Sequence, residues 1–301
     1  MRKFIATTTA DLIQNFSFRK YGIAFAIIFI TCFINYYSNF HLWLRGDRFL
    51  FSVSWYSVLF FIFLLAGIII ETGKLKLSNN SLYFFLLAAP VLFALKVAAP
   101  FSKFLPAEIP ASYKQAFQQP ISWLGGVVLV CTALLILHRL SDGSWGLYGV
   151  KKIQSLRSYV LLIVLMIPLL LWASLQKDFS AVYPRAKIIT ETFATDATAW
   201  HYALFEAAYV CDFVTIELFF RGFLIIVLGK LLGKQCILPI ALFYFSIHLG
   251  KPMFEAISSF FGGIILGTIS YHSKSIWGGW IVHVSIALLM ELFGYLLLRT
   301  G

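Results

Sequence analysis

The chain has 301 residues, of which 60% are hydrophobic, 18% aromatic and only 12% charged. Soluble domains carry about 45–50% apolar and about 25% charged residues, so the composition excludes a soluble protein and predicts an all-α, polytopic membrane protein. The formal net charge of +11 does not imply nucleic acid, because the basic residues fall mainly in short loops, where they set membrane orientation, and form no long basic arm.

The N-terminal stretch MRKFIATTTADLIQNFSFRK is too polar for a cleaved signal peptide. It is expected to lie on the membrane surface, with the first spanning helix acting as an uncleaved signal. Runs approaching the ~20 apolar residues of a spanning helix occur at 21–38, 52–70, 81–98, 120–138, 157–174, 200–229, 236–249, 253–271 and 276–298. They predict a bundle of about eight or nine membrane helices. The seventh run is short and broken from the eighth by Gly250, Lys251 and Pro252, so it is expected to end inside the protein. Residues 99–118 form a loop containing Pro100, Pro106 and Pro110, and residues 175–199 are the longest polar connection. The latter divides N-terminal membrane helices of unassigned role (1–199) from a core (200–298) that holds several intramembrane charges.

With a cytoplasmic N-terminus, about thirteen Lys and Arg fall on the cytoplasmic side and about nine opposite, a bias that favours that orientation. The clearest local signals are Arg2, Lys3, Arg19 and Lys20, then Arg139, Lys151, Lys152 and Arg157. Cys32, Cys131, Cys211 and Cys236 are widely separated, with no CxxC pair, and read as small buried hydrophobes. The chain has no internal repeat.

The sixth run carries Glu206, Asp212, Glu217 and Arg221. Each charge at a helix centre costs about 2.5–3.5 kcal/mol on insertion scales, so these groups are expected to face the protein interior, water or one another. Glu217 and Arg221 are four residues apart and share a helix face, where each charge makes the other tolerable. His248 closes the seventh run, and His283 lies on the ninth. A carboxylate with two histidines on neighbouring helices suits water activation: burial raises the carboxylate's affinity for a proton, and a histidine can orient water or bind an oxyanion. Glu with two His is also a zinc ligand set by type, but no HExxH is present and the reading calls for no cofactor.

These residues resemble the CPBP family of intramembrane proteases, also called type II CAAX prenyl endopeptidases or the Abi family. The stretches that carry the resemblance are IELFFRGF, YFSIH followed by LGKP, and SIWGGWIVHVSIA, all within about residues 200–295. The resemblance implies a catalytic set of Glu217, Arg221, His248 and His283, with Tyr244 at the position of the family's phenylalanine. Two positions depart from the family pattern. Ile216 stands where its first glutamate is held to activate water, and Ala287 stands where an asparagine follows the last histidine. Glu217 is therefore expected to serve as the base, helped by His248, with His283 at the oxyanion. Asp212 is a possible auxiliary acid, since it lies about 40° around the helix from Ile216 and about 140° from Glu217.

Glu291 reads as a packing or exit-side group, Glu255 as a helix N-terminal carboxylate, and Glu206 as interfacial. Gly263 and Gly267 form a GxxxG expected to serve close helix packing. Gly278 and Gly279, flanked by Trp277 and Trp280, look like an interfacial helix start. The leading expectation is an intramembrane endopeptidase acting on a membrane protein or lipopeptide within the bilayer, with no nucleic-acid partner. A catalytically inactive scaffold in the same fold is the alternative, favoured by Ile216 and Ala287. A proton-coupled transporter is the third reading, set back by the lack of paired broken helices.

Overall fold

The computed structural model describes residues 17–43, 48–73, 80–141, 147–151 and 156–300. The expected surface placement of the first residues, and Arg2, Lys3 and Lys152 among the orientation signals, lie outside these ranges. All regular structure among the described residues is helical. The main helices are α1 (Phe18–Ser38), α2 (Phe49–Thr72), α3 (Asn80–Ala98), α4 (Ala111–Leu140) and α5 (Arg157–Ser174). Two short helices follow, α6 (Lys177–Val182) and α7 (Lys187–Phe193). The core comprises α8 (Ala199–Glu217), a π-helical continuation (Leu218–Leu228), α9 (Ile237–Ser246), α10 (Met253–Ser273) and α11 (Trp277–Thr300).

Among the described residues, five helices are long and apolar enough to cross a membrane: Phe18–Ser38, Phe49–Thr72, Tyr113–Leu140, Met253–Ser273 and Trp277–Leu298. Two more apolar helices, Leu82–Ala98 and Tyr159–Ser174, are shorter. The count of eight or nine crossing helices is therefore not confirmed. The sixth run divides between α8 and the π segment, and α9 has 10 residues, which at about 1.5 Å rise covers about half of a ~30 Å hydrocarbon core. The chain is a multi-pass membrane protein whose outer helices present apolar side chains to lipid, among them Phe29, Phe33, Leu161, Leu165 and Leu169.

The centre is an aromatic cluster made by both halves of the chain. Phe60 of α2 and Phe93 of α3 meet Phe243 of α9 at ring-centroid distances of 5.2 and 6.1 Å, and Phe93 meets Phe219 and Phe220 at 5.0 and 5.1 Å. Small residues allow the close approach: a Cβ on Gly67 of α2 would lie 2.3 Å from the Pro239 Cα of α9. In α10, Cβ atoms on Gly263 and Gly267 would come to 3.1 Å from Ala241 and 3.3 Å from Ile225. The GxxxG pair is thus a packing surface against α9 and the π segment.

Candidate active site

A polar cluster is held between α8, its π continuation, α9 and α11. Glu217 closes α8 and has no exposure. Its Oε1 lies 2.9 Å from His283 Nδ1 on α11, one turn and a half from the start of that helix. The helices approach this closely because position 279 is glycine, where a Cβ would stand 1.9 Å from Glu217 Oε2. Arg221, 1% exposed, places its Nε 3.6 Å from Glu217 Oε2. That distance exceeds hydrogen-bond range, so the contact is an ion pair, and Glu217 Oε2, Arg221 Nε and Arg221 Nη2 each lack a hydrogen bond. The guanidinium also sits over the Tyr244 ring, 4.5 Å from its centroid, a cation–π contact that helps offset its burial.

The Tyr244 hydroxyl lies 2.5 Å from His283 Nε2. A carboxylate only accepts and a carbonyl only accepts, which fixes the tautomers. His283 donates from Nδ1 to Glu217, so in the neutral ring Nε2 accepts from Tyr244. His248 Nδ1 donates to the Tyr244 carbonyl at 2.8 Å, so in the neutral ring His248 Nε2 carries the lone pair. His248 sits in the turn after α9, and the first helix fixes that turn: Asn35 Nδ2 donates to the Leu249 carbonyl at 2.7 Å, and the Tyr36 hydroxyl to the Lys251 carbonyl at 2.6 Å.

A cavity of about 600 Å³ opens beside this cluster, and Arg221, Tyr244, His248 and His283 line it. Both apolar departures, Ile216 and Ala287, also lie on its wall. Glu217 is not among the lining residues. The His283 side chain keeps 16% exposure against 0% for Glu217, so the glutamate reaches the cavity through the histidine. Asp212 lines the cavity too, bound by Lys96 of α3 with Nζ 2.8 Å from Oδ1 and 3.1 Å from Oδ2. This partner was missed at the level of sequence. Its signal was a single lysine inside an otherwise apolar run, lying 116 positions from its aspartate.

The other acids find specific work. Glu255, in the first turn of α10, pairs with Lys251 at 3.2 Å and accepts from the Tyr183 hydroxyl at 2.9 Å. Glu291 accepts the backbone N–H groups of Arg185 and Ala186 at 2.9 and 3.1 Å. Glu206 is partly buried, with Oε2 unpartnered. Burial, with the positive charge of Arg185 second, holds Lys251 below the ordinary lysine range, against the pull of Glu255. Among the described residues no group of three or more His, Cys, Asp or Glu gathers closely enough to hold a metal ion.

Residues 198–289 match the model of the family described as Type II CAAX prenyl endopeptidase Rce1-like. This segment is similar to the Rce1-like family. It begins one residue before α8 and ends within α11, so the Rce1-like segment contains Glu217, Arg221, Tyr244, His248 and His283. Lys96, Tyr183 and Arg185, which share the cavity wall, lie outside it. No curated protein and no solved structure matches the chain.

Proposed function

We propose that this chain is an intramembrane endopeptidase that hydrolyses a peptide bond of a membrane-associated protein or lipopeptide. The observation that carries the reading is the His248 tautomer: its Nδ1 is committed to the Tyr244 carbonyl, which leaves Nε2 as a proton acceptor on the wall it shares with His283. His248 Nε2 takes a proton from water as the oxygen attacks the scissile carbonyl, and returns it to the leaving amine. The Tyr244 hydroxyl, held at His283 Nε2 at rest, turns to donate its proton to the oxyanion as it forms. Glu217 acts through His283, by fixing its tautomer and orientation, and Arg221 holds Glu217. Asp212, neutralised by Lys96, tunes the wall as an auxiliary group. This chemistry needs no cofactor. The family match over 198–289 supports the reaction class, and the loop-charge bias supports a cytoplasmic N-terminus in the cell membrane.

A second reading has its own support. Ile216 and Ala287 present apolar side chains to the cavity, and Glu217 is sealed from it. A scaffold that holds a membrane segment without cutting it fits those facts. The test is a membrane-anchored peptide library presented to reconstituted wild type and to His248→Gln, with products read by mass spectrometry. Cleavage by the wild type alone supports the protease. Capture of the same peptides by both proteins without any cleavage supports the scaffold.

A further inference from the structure

The cavity wall carries four basic side chains and three carboxylates: Lys96, Arg185, Arg221 and Lys251 against Asp178, Asp212 and Glu255. The carboxylates are engaged elsewhere. Asp212 holds Lys96, and Glu255 holds Lys251 and Tyr183. Asp178 Oδ2 accepts the Met253 N–H at 2.8 Å, at the start of α10. Glu217, behind the wall, holds Arg221. That leaves Arg185 without a carboxylate ion pair among the described residues.

Arg185 is nevertheless fixed in place. Its backbone N–H is anchored by Glu291, so the neighbouring acid is spent on main chain rather than on the guanidinium. Its guanidinium lies 5.4 Å from the Tyr183 ring centroid and 5.5 Å from that of Tyr209. Its Nε is buried and unpartnered. An arginine fork presents parallel N–H groups suited to a carboxylate or phosphate, and a buried donor left unpaired is costly. Tyr183, against which Arg185 lies, packs in one apolar cluster with Leu170, Phe179 and Met290, all on the cavity wall.

We infer that the cavity binds an amphipathic ligand whose oxyanion head, a phosphate or carboxylate, sits on Arg185 while its hydrocarbon body fills the apolar wall. The inference concerns occupancy of the cavity and holds whether or not the protein cleaves peptides.

Thermal stability of the full chain in a neutral maltoside detergent tests it, with dodecyl phosphate, dodecanoate, dodecanol, dodecylammonium and inorganic phosphate as probes. Dodecyl phosphate, dodecanoate or both should raise Tm in a saturable manner, and dodecanol and dodecylammonium should not. The stronger of the two anionic heads identifies the source as a phosphate-headed or a carboxylate-headed lipid. Stabilisation by dodecanol equal to that by the anions overturns the oxyanion site. Inorganic phosphate binding as tightly as dodecyl phosphate overturns the amphiphile. Arg185→Gln should weaken the anionic probes roughly tenfold or more, the loss expected for a hydrogen bond to a charged group. Unchanged binding in that variant also sinks the proposal. Should Arg185→Gln fail to fold, the probe series on the wild type still decides.

Discussion

Glu217 and His283 form a buried pair, with Oε1 and Nδ1 2.9 Å apart, in which only the histidine reaches the cavity. The carboxylate therefore meets a substrate by way of an imidazole. Such an arrangement sets a tautomer and a ring orientation, and leaves direct contact with water to the exposed ring.

The first prediction follows from that pair. Glu217→Gln keeps the shape but replaces an obligate acceptor by an amide that can also donate to His283 Nδ1, so the tautomer is no longer set. Turnover of a cleaved substrate should fall by up to about 10⁴, the loss known when a carboxylate that sets a histidine tautomer becomes an amide, while substrate binding stays intact. Asp212→Asn, acting on a group already neutralised by Lys96, should cost less. Equal loss in both variants, measured as single-turnover rates, would place the chemistry nearer Asp212.

Arg221 and Glu217 are both almost fully buried. Arg221→Leu strands the carboxylate, a change that costs roughly 3–5 kcal/mol. The double variant Arg221→Leu, Glu217→Gln should recover much of the lost folded yield. A double variant no more stable in detergent than the single one shows that the pairing contributes nothing.

Gly279→Ala should disturb the polar cluster directly. Its Cβ would stand 1.9 Å from Glu217 Oε2, and that oxygen cannot retreat without loosening Arg221 or His283. Overpacking of this kind costs about 1–3 kcal/mol, and activity should fall with it. Gly262→Ala, where nothing lies within 4 Å, should be neutral or stabilising by about 0.5–1 kcal/mol. Thermal melts of the two variants side by side make the comparison.

Lys96 and Asp212 should behave as one unit. Lys96→Met or Asp212→Asn alone leaves a single poorly solvated polar or charged group, whereas the double change leaves neither charge. A double-mutant cycle should return a coupling energy of about 0.5–3 kcal/mol. A coupling indistinguishable from zero would mean that each group is hydrated independently by the cavity.

Ile216→Glu places a carboxylate on the cavity wall at the position where the sequence resemblance leads one to expect a glutamate. In a working protease it should hold or raise the cleavage rate, since a second proton acceptor then faces the substrate. In a scaffold the added buried charge should only lower Tm. Rates and melts of the same preparation separate the two outcomes.

The sequence by itself determined the solvent and the element type. Apolar runs of spanning length require helices in lipid, because every backbone polar group must be satisfied within its own segment. It also placed Glu217 and Arg221 on one face, because a four-residue spacing is local geometry, and it foresaw that the seventh run stops short, as the 10-residue α9 does. The wide π turn at Leu218–Leu228 left no mark in the apolar pattern, since a segment buried on all sides has no periodicity to read. Contacts between distant helices were beyond it. Lys96 with Asp212, Asn35 with the His248 turn, and Arg185 between two tyrosines each depend on how helices pack and rotate. Helical periodicity says which side chains share a face, but not what that face meets. Tertiary packing alone decided that Ile216 lines the cavity while its neighbour Glu217 is buried behind His283 and Arg221. Adjacent residues on a helix are about 100° apart, and only the position of α11 determines which of the two directions is open.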